Sequence, residues 1–109
     1  MTLFTQTQND TRTDRQRFTD SIKTLVEMAN EQGSSNSRYY YTSISKLIKG
    51  ITKIEDRNAI MPHQKTLERT LQSAVRGEVY RGTELGIYYK NIYKNIKKKL
   101  LGIERIFRS

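Results

Sequence analysis

The sequence predicts a mainly α protein, a small single-domain bundle of about four helices that closes on a long basic C-terminal helix. Three observations lead there. Apolar residues recur at helical spacing in separate stretches of the chain. Glycines, and the single proline, tend to fall at the ends of those stretches. A chain of 109 residues holds one domain and is too short for two ordinary ones.

Residues 1–12 are polar and rich in Thr and Gln, which predicts a flexible arm and leaves 13–109 as the helical domain. The first helix is expected at 14–31. Phe18, Ile22, Leu25, Val26 and Ala29 fall on one helical face, Thr13 or Asp14 can cap its start, and Gly33 suits its end. GSSNS at 33–37 is a loop by composition. RYYYTS follows, and three adjacent tyrosines fit either a short extended segment or the lead into a helix. A second helix is expected over 43–49, with Ile44, Leu47, Ile48 and Ile51 at helical spacing; 51–61 can extend it or loop.

Pro62 opens a third helix, expected over 62–76 and stopped by Gly77, with Leu67, Leu71, Ala74 and Val75 inward. Its other face carries His63, Gln64, Lys65, Arg69, Gln72, Ser73 and Arg76. In the last segment Leu85, Tyr89, Ile92, Ile96, Leu100, Ile103 and Phe107 form a nearly unbroken helical stripe, which predicts one long helix capped by Thr83. The alternative is a winged-helix-like α+β fold with a hairpin at 78–93, its strands at 79–81 and 87–92 around GTELG.

Charge is unevenly placed. The chain carries +9 overall, of which residues 88–109, with seven basic groups and one acid, hold +6. A concentrated excess points to a polyanionic partner more than to general solubility. Around the last helix, Lys90, Lys94, Lys97 and Lys98 share the face opposite the apolar stripe, with no acid among them; Lys99 lies at the stripe's edge. A solvated helix ordinarily intersperses Glu with Lys, although lysines near a helix C-terminus also gain from its dipole.

Lys65, Arg69 and Arg76 on the third helix are the side-chain types that meet phosphates and base edges. The second and third helices would make a helix-turn-helix, were the separation of about eleven residues not longer than the usual turn of ~3–4. Seven tyrosines supply most of the aromatic content. Tyr89 and Tyr93 belong to the core by position, whereas Tyr40, Tyr80 or Tyr88 are candidates for exposure and base stacking.

Other chemistries find little support. No cysteine exists, so disulfides and cysteine-ligated zinc are out. The chain has no GxSxG, HExxH or P-loop pattern and only one histidine, His63. Glu55 and Asp56 read as a solvated acidic pair. No catalytic residues, metal site or cofactor are expected, and the protein is not expected to be an enzyme. No 18-residue apolar run or signal peptide is present, so the expected location is cytoplasmic and off the membrane.

In general character the chain is similar to many small phage and plasmid proteins: short, lysine-rich, tyrosine-rich and free of cysteine. That similarity is compositional and transfers no residue roles. The expected function is nucleic-acid binding in a regulatory or accessory role, with DNA ahead of RNA. The nucleic-acid-binding residues would be Lys90, Lys94, Lys97, Lys98, Lys65, Arg69 and Arg76. The rival is an inhibitor or adaptor of phage or mobile-element type, whose basic helix occupies an acidic surface on a host nucleic-acid-processing protein. Apolar surface left over from the core would make a homodimer.

Overall fold

A computed structural model describes residues 12–108, and among them it holds four α-helices, one 3₁₀ turn and no strand. The helices are α1 (Asp14–Glu31), α2 (Tyr39–Thr52), α3 (Pro62–Leu85) and α4 (Tyr89–Arg108), with the 3₁₀ turn at Arg57–Ala59. The expected arm falls on residues outside the described range, except for Arg12. The winged-helix alternative is excluded: 79–81 lie inside α3, and Tyr89 to Ile92 open α4.

Helix α1 has the predicted bounds, and its ends show why. The Thr13 hydroxyl accepts from the Gln16 backbone N–H at 3.1 Å, and the Gln16 side chain accepts from the Thr13 N–H at 2.8 Å. Two orphan donors are thereby satisfied reciprocally. At the other end Gly33 takes φ +96° and the Ser34 N–H reaches back to the Ala29 carbonyl at 2.9 Å.

Helix α2 begins at Tyr39, so RYYYTS is helical where an extended segment was an option. Its side chains explain the outcome. Tyr40 packs edge-on against Tyr89 and Tyr93, with centroids 6.0 and 4.9 Å away, and is buried. Of the three tyrosines expected at the surface, Tyr40 is therefore core, whereas Tyr80 and Tyr88 are exposed. Lys53 ends α2 at φ +59°, the left-handed conformation that closes many helices.

Helix α3 runs eight residues past its expected stop at Gly77. One helical glycine costs only about 1 kcal/mol. Beyond it Val79 and Gly82 are buried, and full burial of a valine side chain alone is worth about 1.5 kcal/mol or more, which offsets that cost. The true stop is Gly86, at φ +65°, where the Ile87 N–H bonds the Gly82 carbonyl at 2.9 Å. This turn divides the predicted long helix, so Thr83 lies inside α3 and caps nothing in α4. Leu85, the first member of the predicted stripe, ends up exposed at the end of α3, and Phe107, the last, is exposed in α4. Of the five residues between, Tyr89, Ile92, Ile96 and Leu100 are buried as expected, and Ile103 packs partly against them.

Every pair of the four helices touches, with α3 lying against both α1 and α4 over the longest interfaces. Leu25, Ile44, Leu71, Val75, Ile92, Ile96 and Leu100 are the largest fully buried side chains, drawn from all four helices. Two glutamines tie helix ends together. The Gln32 side chain accepts from the Tyr89 N–H at 3.0 Å, joining the end of α1 to the start of α4. The Gln64 amide donates to the carbonyls of Thr52 and Lys53 at 3.2 and 3.3 Å, joining the end of α2 to the start of α3.

Candidate nucleic-acid interface

Helix α4 divides by angle. Taking Ile92 as origin and ~100° per residue, Ile96, Leu100, Tyr89 and Ile103 fall within about 80° of it. These are the residues that pack inward. Lys90, Lys94, Lys97 and Lys98 fall at roughly 140° to 240°, and all four are exposed. Lys99, placed by sequence at the edge of the stripe, is exposed too.

None of these five lysines joins an ion pair among the described residues. The four pairs found there all use arginine: Arg12–Asp20, Arg57–Glu68, Arg81–Glu78 and Arg108–Glu104. Arg57 and Glu68 form the tightest, with two bonds of 2.8 and 3.2 Å, and the hydrogen bond to Glu68 raises the already high Arg57 pKa further. Among the described residues the carboxylates that do form ion pairs take arginines, and the lysine row stays unneutralised. Lys97 has a softer neighbour: its Nζ lies 5.5 Å from the centroid of the Tyr93 ring.

The position of Lys90 separates two explanations of the row. Cations near a helix C-terminus are stabilised by the helix dipole, which accounts for Arg105 and Arg108 in the last turn of α4. Lys90 sits in the first turn, where the dipole disfavours a cation, and no acid accompanies it there. Lys90–Lys94 and Lys94–Lys98 are also like-charge neighbours at i, i+4, each unfavourable by about 0.2–0.5 kcal/mol. Helix stability therefore does not account for the row.

Sequence reasoning missed Arg105. It follows Lys98 by seven residues and Lys94 by eleven, which returns it to the same angular position, and it is exposed. The period was there to be found. From Lys90 to Arg105 the rise is about 22 Å, roughly six to seven base pairs of duplex. Leu101 also lies on this outer face, exposed among the cations.

The α3 residues do not join this surface. Gly82 faces α4, and Lys65, Arg69 and Arg76 lie about 100° to 140° around α3 from it. Arg76 lines a groove between α1 and α3 with Arg12, Arg17, Ser73 and Tyr80. Lys65 and Arg69 are exposed and Arg76 is half-buried. Two other polar residues of α3 leave its expected outer face: Gln64 bonds the end of α2, and Gln72 is buried. The connection from α2 to α3, residues 53–61 with a 3₁₀ turn inside it, is no tight helix-turn-helix turn. Asp56 caps that 3₁₀ turn, accepting from the Asn58 N–H at 2.9 Å.

Among the described residues no group of three or more His, Asp or Glu side chains is placed to hold a metal ion, and no helix is long and apolar enough to cross a membrane. No protein-family model, curated protein or solved structure matches the chain.

Proposed function

We propose that the protein binds nucleic acid, DNA ahead of RNA, through the outer face of α4. Lys90, Lys94, Lys97 and Lys98 contact phosphates, with Arg105 beside them and Lys99 at the edge of the apolar stripe. The observation that carries this reading is the exposed lysine row with no carboxylate partner among the described residues, begun at a helix end where the dipole disfavours it. A polyanion relieves both penalties. Arg76, Lys65 and Arg69, on a different face, are accessory contacts that the α4 surface does not require. The reading involves no catalysis and is consistent with a regulatory or accessory role in a cytoplasm.

Fluorescence anisotropy with duplex DNA, single-stranded DNA and RNA tests it. If about five lysines each neutralise one phosphate, log K falls with log salt at a slope near −4 to −5. Replacing Lys90, Lys94, Lys97 and Lys98 by Ala together takes away most of that slope. A flat salt response in the unmodified protein, or no binding at low salt, overturns the reading.

One observation favours a second reading, a protein partner. Leu101, Ile106 and Phe107 expose apolar surface at the C-terminal end of α4, beside the cations. Phosphate contact has no use for such surface, whereas an acidic, partly apolar groove on a host protein has. The same titrations separate the two, because an inhibitor or adaptor of that kind gives no complex with any of the three nucleic acids.

A further inference from the structure

We propose that a cleft among α1, α2 and α3, remote from the lysine row, binds an adenine nucleotide. The cleft has a volume of about 310 Å³ and no residue of α4 lines it. It does not depend on the α4 reading.

The starting point is Gln72. It is 8% exposed, it lines this cleft, and its carboxamide has no hydrogen-bond partner among the described residues. The polar atoms of that amide are not sealed in the interior but open to the cleft, so the group is expected to meet a ligand or water there. One turn earlier on the same face Glu68 is held by both nitrogens of Arg57, so it does not serve as the partner of Gln72.

The surroundings define the ligand. Phe18, Ile48 and Ile54 form an apolar floor suited to the faces of a flat ring. A glutamine carboxamide presents a donor and an acceptor side by side, the pattern that matches the N6–H and N7 edge of adenine. At the rim stand Arg15 and Lys49, exposed and outside every ion pair among the described residues, with Glu55 as the one unpaired acid there. With Arg57 and Glu68 cancelling, the rim is net positive by one charge. A base on the floor with its edge on Gln72 places a phosphate toward Arg15 and Lys49. Two sources offer this chemistry, a free nucleotide and an unstacked base of a single strand.

Two-dimensional ¹H–¹⁵N NMR titration with adenosine monophosphate, adenosine, inorganic phosphate and a short single-stranded oligoadenylate tests the proposal. The expected result is a shift of the Gln72 side-chain NH₂ and the Ile48 amide with the monophosphate. Adenosine should give the same shifts with weaker binding, and phosphate alone should leave Gln72 unmoved. Shifts with the monophosphate identify a free nucleotide; the same shifts with oligoadenylate alone identify a strand base. Gln72→Leu should weaken binding about tenfold, the equivalent of one or two hydrogen bonds. Should that variant fail to fold, Arg15→Gln, at an exposed position, must bring the monophosphate down to the affinity of adenosine. The fourfold lysine variant of α4 must keep its nucleotide binding whether or not its polynucleotide affinity falls, so the two sites fail separately. No shift at Gln72 at about millimolar ligand, or undiminished affinity in Gln72→Leu or Arg15→Gln, overturns the proposal.

Discussion

Gly82 of α3 faces Ile92 of α4 at a separation that leaves no room for a β-carbon. A Cβ built at Gly82 would lie 2.5 Å from Ile92 Cγ1, well inside van der Waals contact. Ile92 is only 1% exposed and pinned in the core, so it has little freedom to withdraw. The hairpin of α3 and α4 is therefore as tight as it is because position 82 has no side chain.

Gly82→Ala should consequently destabilise the fold, by about 1–2 kcal/mol, because overpacking outweighs the gain of about 1 kcal/mol in helix propensity. Gly77→Ala is the control. It is also within α3, but an added Cβ there meets nothing within 4 Å. It should stabilise by about 0.5–1 kcal/mol. Urea midpoints at constant m-value read both, and opposite signs are the expected outcome.

Gln32→Ala removes the acceptor for the Tyr89 N–H, an orphan donor at the start of α4. The expected cost is about 1 kcal/mol. Hydrogen exchange localises it: the Tyr89 amide should lose protection while amides in the middle of α3 change only with global stability.

Alkaline pH should destabilise the bundle through Tyr40. Its burial, and then the proximity of Tyr89 and Tyr93, raise its pKa above 10.0. Below pH 10 the neutral phenol is present in both folded and unfolded chains, and its contribution is intact. As pH rises above 10 the unfolded chain ionises first, so stability falls until the folded-state pKa is passed. Tyr40→Phe, which loses no hydrogen bond among the described residues, should change stability little at pH 7. It should flatten the decline measured between pH 9.5 and higher values.

Lys94→Glu should separate stability from binding. The new carboxylate would stand four residues before Lys98 and three before Lys97, in the favourable order for helix pairs, adding about 0.5 kcal/mol. Polynucleotide affinity should drop at the same time, with the salt slope reduced by about 1 to 2. A variant that is both more stable and a weaker binder at low salt is the expected result.

How much of this was legible in sequence depended on which interaction decided each element. Helix α1 was readable to the residue, because Thr13, Gln16 and Gly33 act through local bonds. Helix α3 was not, because Gly77 and Gly82 look alike in a sequence. Gly77 is merely tolerated, whereas Gly82 is a packing surface that only the position of Ile92 reveals. The stripe from Leu85 to Phe107 suggested one continuous helix because its spacing stayed in phase across a turn. The Gly86 cap changes the direction of the chain, so Leu85 does not share the buried face of α4. The inward half of α4 and its four outer lysines were both visible at helical spacing. Whether Lys65, Arg69 and Arg76 joined them depended on how α3 is rotated against α4, and that is set by long-range packing. Gln72 read as one more surface polar residue; its burial follows from the contact of α3 with α1 and α2.

The angular division of α4 also governs which kinds of change the protein can survive. Substitutions on its two sides are nearly independent, so the apolar positions and the cationic ones are free to drift at different rates. A single-residue insertion or deletion within α4 is another matter. It turns every later position by about 100°, carrying lysines toward the bundle interior and isoleucines toward water. Selection on this helix should therefore be lenient toward replacement and severe toward changes of length.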